Sequence, residues 1–556
     1  MKRVWWKEGV IYQVYPRSFN DSNGDGIGDI PGVIEKLDYI KSLGVDIIWL
    51  CPVYKSPNDD NGYDIADYYN IMDEFGTIED FDQLLEGVHD RGMKLIMDLV
   101  VNHTSDEHAW FIESRSSRDN PKRDYYIWKD GKNGGPPNNW QSFFGGDAWA
   151  FDEKTNQYYL RLFTKKQPDL NWENENLRKD VHTLMRYWLD KGIDGYRMDV
   201  ISLLSKRNFE DTNFLGFNET IEHVYANGPK IHDYLQEMNK EALGDYDIMT
   251  VGEGPGISLQ QGLNYVQEDR KELSMIFHFD HMFIDHGPGG KFDPVKYDLV
   301  HFKEIFAQWD KLMTKGGWSS LFLGNHDFPR MVSRFGNDKD YHVESAKALA
   351  LMLFTMRGTP YIYQGDEIGM TNVAFDDISD YRDIETLQAH SGVQKENGDM
   401  EQFMAAVHWQ GRDNARTPVQ WDATANAGFS SGEPWIKVNP NYSDINVALQ
   451  EHDSQSILNF YRSAVACRKE YQELVYADFE VIDVLNPRIF AYWRKGEGKT
   501  YLVLINFTED TMPFAVQGLH EEADMVTLLA NYPQETQLKD GRFDLKPWEA
   551  ILYQIN

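Results

Sequence analysis

The sequence predicts an α/β fold: a (β/α)8 (TIM) barrel with one domain inserted after strand 3 and an antiparallel β domain at the C-terminus. Three observations carry this. Short apolar runs alternate with segments of helical period until eight strands have been counted; the alternation lapses once, over residues 105–172; and beyond residue 478 it gives way to strands joined by Gly, Asn and Asp turns. The expected bounds are 1–104 and 173–478 for the barrel, 105–172 for the insertion, and 479–556 for a C-terminal β-sandwich.

The first strand is expected at residues 9–16 (GVIYQVYP), followed by a helix with Val33, Ile34, Leu37, Ile40 and Leu43 on one face that stops at Gly44. Residues 46–53 (DIIWLCPV) make the second strand. The next helix opens on Thr77 as N-cap, with Asp80 three residues on, places Phe81, Leu84, Leu85 and Val88 on one face, and ends at Gly92. Residues 94–103 (KLIMDLVVNH) form the third strand. Strands that are apolar throughout, each followed by an amphipathic helix, belong in a parallel sheet covered on both faces. The insertion is rich in Asn, Gly, Pro, Asp and aromatics, with no helix of useful length. A helix bearing Leu177, Val181, Leu184, Met185 and Trp188 leads into the fourth strand at 195–201 (GYRMDVI); the fifth to eighth are expected at 248–253, 275–280, 320–327 and 359–367. After a helix with Ile457, Phe460, Tyr461, Val465 and Cys467, the runs RIFAYWRK, TYLVLINF and AILYQI supply the β domain.

A chain of 556 residues is too long for one ordinary core. With 55 basic against 89 acidic residues the net charge is −34, which argues against nucleic acid or anionic lipid as a partner and favours a neutral or cationic ligand. No apolar run approaches the roughly eighteen residues of a membrane span. The N-terminal MKRVWWKEGVIYQVYPRSF lacks an apolar h-region, so no signal peptide is expected and the location is expected to be cytoplasmic. Cys51 and Cys467 sit in apolar stretches without metal-ligand or C-x-x-C spacing and are expected to be reduced. A monomer, or at most a dimer, is expected. Aromatic residues at 14% lean towards carbohydrate, because ring faces stack on the apolar faces of sugars.

Three strands finish on an acid: Asp199, Glu253 and Asp327. The C-terminal ends of barrel strands open onto one face, so the three can converge. Arg197, two residues before Asp199, is by itself no more than half of a structural ion pair. Converging carboxylates repel, and holding them together needs a function or a cation. Retaining glycosyl transfer is such a function: one carboxylate attacks while another acts as acid and base, the two about 5–5.5 Å apart. Asp199 beside Arg197 suits the nucleophile; Glu253, with negative charge and burial to raise its pKa, suits the acid/base. Asp327 would grip sugar hydroxyls. A purely structural cluster is the alternative.

The motifs DLVVNH (98–103), GYRMDV (195–200), TVGE (250–253) and NHD (325–327) stand in the order of the α-amylase superfamily of glycoside hydrolases (family 13). Over essentially its whole length the chain resembles that family, most closely its oligo-1,6-glucosidase and dextran glucosidase group. The resemblance implies the same barrel, with a domain B after strand three. It implies Asp199 as nucleophile, Glu253 as acid/base and Asp327 as transition-state stabiliser, with His103, Arg197 and His326 binding the sugar in subsite −1. It further implies Tyr63 as a stacking platform, Asp64 as a hydroxyl acceptor paired with Arg412, and Phe163 among the substrate-binding residues. Gln167, in QPDLN, and Val200, directly after the nucleophile, resemble the α-1,6-preferring members. The expected activity is exo-acting hydrolysis of terminal α-1,6-linked glucose from short isomalto-oligosaccharides. Leu323, Gly324 and Phe328 around NHD, and Gly254 after the acid/base, depart from close relatives at positions expected near the aglycone side, so they bear on linkage and not on the glycone.

DSNGDGIGD (21–29) offers oxygen ligands at Asp21, Asn23, Asp25, the Ile27 carbonyl and Asp29, with Gly26 at the sharp turn of an EF-hand-like loop; the bidentate Glu of such loops is absent. Because related glucosidases carry a cation here, a structural Ca²⁺ is expected, and no organic cofactor; a turn held by Asn and Asp hydrogen bonds is the alternative. Two other readings stay open. One is a broader α-glucosidase, or a hydrolase or isomerase directed at sucrose, or a trehalose-6-phosphate hydrolase, although SRFGNDKDYH after NHD lacks the arginine-rich loop associated with the isomerases. The other is a non-catalytic, transporter-associated relative, disfavoured by three intact acids and no membrane span.

Overall fold

The structure is a computed structural model and describes residues 3–213, 217–520 and 522–556, so the first two residues of the expected barrel lie outside it. Eight parallel strands form one sheet: β1 (Ile11–Val14), β2 (Ile47–Leu50), β3 (Lys94–Leu99), β4 (Gly195–Met198), β5 (Met249–Glu253), β6 (Met275–Phe277), β7 (Ser320–Leu321) and β8 (Thr359–Tyr363). Their order is β6-β5-β4-β3-β2-β1-β8-β7, and a parallel bridge from Ile276 to Ser319 closes β6 on β7. The fold is therefore the expected closed barrel.

Alternate strand residues face two different cores. Ile11, Ile47, Trp49, Ile96, Met249, Val251, Phe277 and Tyr361 pack with one another in one cluster, whereas Tyr12, Ile48, Leu50, Leu95 and Met97 pack with the helices around it. Gly195 opens β4 at φ 144°, where a Cβ would lie 1.9 Å from the Met249 carbonyl oxygen; glycine lets β4 and β5 meet there. The capping box of Thr77 and Asp80 starts the helix Ile78–Asp90, and Glu175–Lys191 buries Leu177, Val181, Leu184, Met185 and Trp188. The first expected helix is instead two, Ile30–Glu35 and Leu37–Ser42, broken at Lys36, whose ammonium lies 4.2 Å from the Trp421 ring centroid. β7 ends at Leu321, so Asp327 stands on the loop beyond its strand and does not terminate it.

Between β3 and β4 the chain builds a three-stranded antiparallel sheet from Trp128–Lys129, Trp149–Asp152 and Gln157–Leu160, with one short helix, Ala109–Ser114. A bridge from His103 to Asp169 ties it to the barrel rim, and one from Tyr126 to Leu170 closes it on itself. At the C-terminus five antiparallel strands run in the order Asp478–Ile482, Ile489–Lys495, Thr500–Asn506, Ala550–Ile555, Met525–Ala530, with a two-stranded ribbon of Met512–Phe514 and Phe543–Leu545. Buried Lys303 on a barrel helix fastens this domain by donating to the carbonyls of Asp483 (3.2 Å), Asn486 (2.6 Å) and Ile489 (3.0 Å). The stretch after β8, to which the sequence reading assigned no elements, folds into helices Ile384–Lys395, Met400–Gln410 and Asp413–Arg416. It carries Asp383, Arg412 and Arg416 to the mouth of the barrel. No described helix is long and apolar enough to cross a membrane.

Candidate active site

The ends of β3, β4 and β5 place one guanidinium among three carboxylates. Asp98 and Arg197 are paired in register across β3 and β4, and Arg197 Nη1 lies 2.6 Å from both Asp98 Oδ1 and Asp199 Oδ1. Nη2 reaches Glu253 Oε2 at 2.8 Å. The same Oε2 accepts the Val200 N–H at 3.0 Å, so a proton on Glu253 belongs on Oε1. One positive charge cannot offset the desolvation of three acids. Burial, against the pull of Arg197, raises Asp98 to about 6, Asp199 to about 7 and Glu253 to about 8.

The opposite side of the mouth is richer in cations. Asp327 Oδ1 lies 2.8 Å from Arg416 Nη2 and 3.2 Å from Arg412 Nη1. Burial opposes ionisation of Asp327, but His326, Arg412 and Arg416 hold its carboxyl well below the usual range. Arg412 also reaches Asp383 Oδ1 at 2.6 Å and Asp60 Oδ1 at 3.4 Å, and its guanidinium stands 4.8 Å from the Phe144 ring of the inserted domain. Asp383 is likewise held down by the two arginines against its burial. Asp60 is pushed up by burial to about 7 in spite of them.

Aromatic and amide groups line the floor between these sides. His326 lies between Tyr63 (5.1 Å, 2° between planes) and Tyr15 (5.8 Å, 14°), its Nδ1 2.8 Å from Gln13 Nε2 and its Nε2 3.3 Å from Asp327 Oδ2. Tyr63 also faces the Arg197 guanidinium at 5.8 Å. Burial lowers His103 to about 4 and His326 to about 3, so both rings are neutral near pH 7. Neutral His103 accepts from Asn102 Nδ2 at Nδ1 (3.2 Å), which leaves Nε2–H for the Tyr63 carbonyl (3.1 Å). Gln167 is fully buried, its amide 3.1 Å from Asp60 Oδ2 and 3.2 Å from His103 Nε2, and Phe163 packs 5.0 Å from the His103 ring. Val200 takes φ 36°, a left-handed backbone that β-branched residues rarely adopt, and packs with Phe163, Leu203 and Ile221.

One expected residue is misplaced. Asp64 does not pair with Arg412: its carboxylate accepts from Ser56 Oγ (2.9 Å), the Asp59 N–H (2.9 Å) and the Asp60 N–H (3.1 Å), and so shapes the loop from behind. Of the acids in this turn, the one that reaches Arg412 is Asp60, at 3.4 Å. Besides Asp60, the sequence reading missed Asp98, Asp383, Arg416 and Gln13. Arg416 had a signal: it stands four residues after Arg412, one helical turn on, in the short helix Asp413–Arg416. Asp98 lay inside a quoted motif, whereas Asp383 carries no mark beyond its place before a helix it caps.

In the 21–29 loop, Asp21 accepts from the N–H groups of Asn23, Gly24 and Gly26 and from Ser430 Oγ; Asn23 accepts from Asp25, and Asp25 from Ile27. Asp29 caps the helix Ile30–Glu35 and binds Ser22. The donors are all oxygens, which suits a hard cation. Asn23, Asp25 and Asp29 keep lone pairs, but Asp21 already fills its four positions. Among the described residues, no three His, Cys, Asp or Glu side chains are grouped to hold a metal.

Compared with known proteins, residues 13–477 match the alpha amylase catalytic-domain family. This chain belongs to the α-amylase family. Its motifs DLVVNH, GYRMDV and TVGE thus mark β3, β4 and β5, and NHD the loop after β7. The chain is 54% identical to the oligo-1,6-glucosidase of Parageobacillus thermoglucosidasius and 53% identical to that of Bacillus cereus, each over 100% of both chains. Solved relatives include a trehalose-6-phosphate hydrolase of Bacillus licheniformis, 45% identical with a TM-score of 0.95 over 100% of both chains. An isomaltulose synthase of Erwinia rhapontici NX5 is 45% identical with a TM-score of 0.96, over 100% of this chain and 99% of that one. As in other α-amylase family members, the activity is that of a glycoside hydrolase.

Proposed function

We propose that the chain is an exo-acting, retaining α-glucosidase that removes terminal α-1,6-linked glucose from isomalto-oligosaccharides such as isomaltose and panose. The observation that carries the chemistry is the single guanidinium of Arg197 within 2.6 Å of Asp199 and 2.8 Å of Glu253, which holds two carboxyls of different proton affinity side by side. Ionised Asp199 attacks the anomeric carbon as Glu253, protonated near pH 7, gives its Oε1 proton to the leaving oxygen. A glucosyl ester on Asp199 results. Glu253, now a base, takes a proton from water, which opens the ester and restores both groups. Asp327, kept anionic by Arg412 and Arg416, stabilises the positive charge that develops on the sugar. The ion pair of Arg412 with Asp60, backed by Phe144, supports a pocket closed behind one glucose and so release of terminal residues.

Asp199→Ala is expected to be nearly inactive, and azide should restore turnover with formation of the inverted β-glucosyl azide. Near-normal activity of that variant would remove Asp199 from the nucleophile's role. A sucrose-directed reading keeps a foothold in the similarity to an isomaltulose synthase. Rates on isomaltose, maltose, sucrose and trehalose separate the two, with isomaltose expected to lead. The oxygen donors of the 21–29 loop support a structural Ca²⁺ outside the chemistry, for which Asp21 would give up one of its present hydrogen bonds. Exhaustive chelation should then lower the melting temperature; a melting curve that chelation leaves unchanged would count against the ion.

A further inference from the structure

A second cavity, of about 660 Å³, opens where the barrel meets the C-terminal domain, and it shares no residue with the carboxylate pocket. Its volume is within the roughly 300–1,000 Å³ usual for small-ligand sites. Four aromatic side chains line it: Tyr297, Trp409, Phe507 and Trp548. Trp409 is 38% exposed, whereas Trp548 is 5% exposed and packs 5.4 Å from Phe507. Two buried donors on lining residues lack a hydrogen-bond partner among the described residues, the indole Nε1 of Trp548 and Nη1 of Arg334. Buried polar groups are normally satisfied, and an unpaired N–H on a residue that lines a cavity calls for an acceptor from outside the protein. The remaining nitrogens of Arg334 are spent on Asp285 and the Met282 carbonyl.

The charges say what kind of acceptor fits. Lys296 and Lys339 are matched by Asp338 and Glu509, and Arg334 by Asp285, so the site has no excess cation to select an anion. What remains is a set of ring faces, two N–H donors and two carboxylate acceptors. That combination suits a neutral polyol with apolar C–H faces.

We propose that this cavity is a second saccharide site, which takes an α-linked glucosyl oligosaccharide with one residue stacked on Trp409 and ring or hydroxyl oxygens accepting from Trp548 Nε1 and Arg334 Nη1. The choice of a glucosyl ligand rests on the function proposed above; the existence of the site does not. Arg334 links the cavity to the catalytic side: its guanidinium lies 5.4 Å from the ring of Phe328, next to Asp327, and Asp285 also accepts from Gln410, two residues before Arg412.

The test titrates isomaltotriose and, separately, maltotriose into the full chain carrying Glu253→Gln, which binds but does not turn over. Two equivalents are expected with at least one trisaccharide. Adding Trp409→Ala should abolish the second, and adding Trp548→Phe, which keeps an aromatic face but removes the indole N–H together with the five-membered ring, should weaken it at least fivefold. In the active chain both substitutions should leave kcat/KM for an aryl α-glucoside unchanged. One equivalent with both sugars, or a second equivalent indifferent to both substitutions, overturns the proposal. A second equivalent with maltotriose alone would keep the site and count instead against the α-1,6 reading.

Discussion

The two sides of the pocket solve the same electrostatic problem in opposite ways. At the ends of β3, β4 and β5, Arg197 alone serves Asp98, Asp199 and Glu253, and all three acids hold protons more tightly than in water. On the other side Arg412 and Arg416 together serve Asp60, Asp327 and Asp383, and the latter two are held firmly ionised. The difference is one guanidinium. A cation-poor group of acids can exchange protons near neutrality, which is what acid/base work needs; a cation-rich one keeps fixed charge, which is what binding and charge stabilisation need. Asp60 is the exception on its side: at 3.4 Å from Arg412 it is too loosely held for the cations to outweigh its burial.

The largest expected effect breaks the second side. Arg412→Ala leaves buried Asp383 short of its nearest cation and opens the pocket, and kcat/KM for isomaltose should fall roughly 10²–10³-fold, mainly through KM. Steady-state kinetics checks this, and a loss confined to kcat would move Arg412 to the chemical side. Next, the proton-holding side sets the pH profile. Below about 7 Asp199 becomes protonated and cannot attack; above about 8 Glu253 is ionised and cannot donate. A narrow bell of kcat/KM is expected, its two apparent pKa values belonging to the coupled pair, with about tenfold lost per pH unit beyond each limb. A flat profile from pH 5 to pH 8 would show that Arg197 keeps Asp199 charged after all. The smallest effect concerns Val200, which directly follows Asp199 and whose N–H donates to Glu253. Val200→Ala keeps the N–H to Glu253 but trims the side chain that packs with Phe163, Leu203 and Ile221, and should shift the isomaltose-to-maltose ratio of kcat/KM about tenfold towards maltose. An unchanged ratio would reduce Val200 to a backbone support.

Most of the barrel was legible because its signals are local. A β-branched run of four to six residues, a Thr77–Asp80 capping box or a glycine at a helix end acts within a few residues, so each element could be placed from its own letters. Strand ends were less legible: β7 is two residues long, and the loop that carries Asp327 was read as strand because it continues an apolar run. Asp199, Glu253 and Arg197 could be found because each adjoins a strand end in a parallel barrel, where position in sequence dictates position in space. Asp60 and Asp64 show the limit. Both are acids in one turn, four residues apart, and nothing in DDNGYD says which carboxylate faces Arg412 and which accepts the loop's own N–H groups.

By itself, then, the sequence determined the order of the eight barrel strands, the lapse that became the inserted domain, and the acids that sit at the ends of β4 and β5. Tertiary structure alone decided how many cations each acid meets. Arg412 and Arg416 reach Asp327 from a stretch beyond β8, and a Coulomb interaction that falls with distance and rises with burial depends on three-dimensional separation, which residue spacing across such an excursion does not encode.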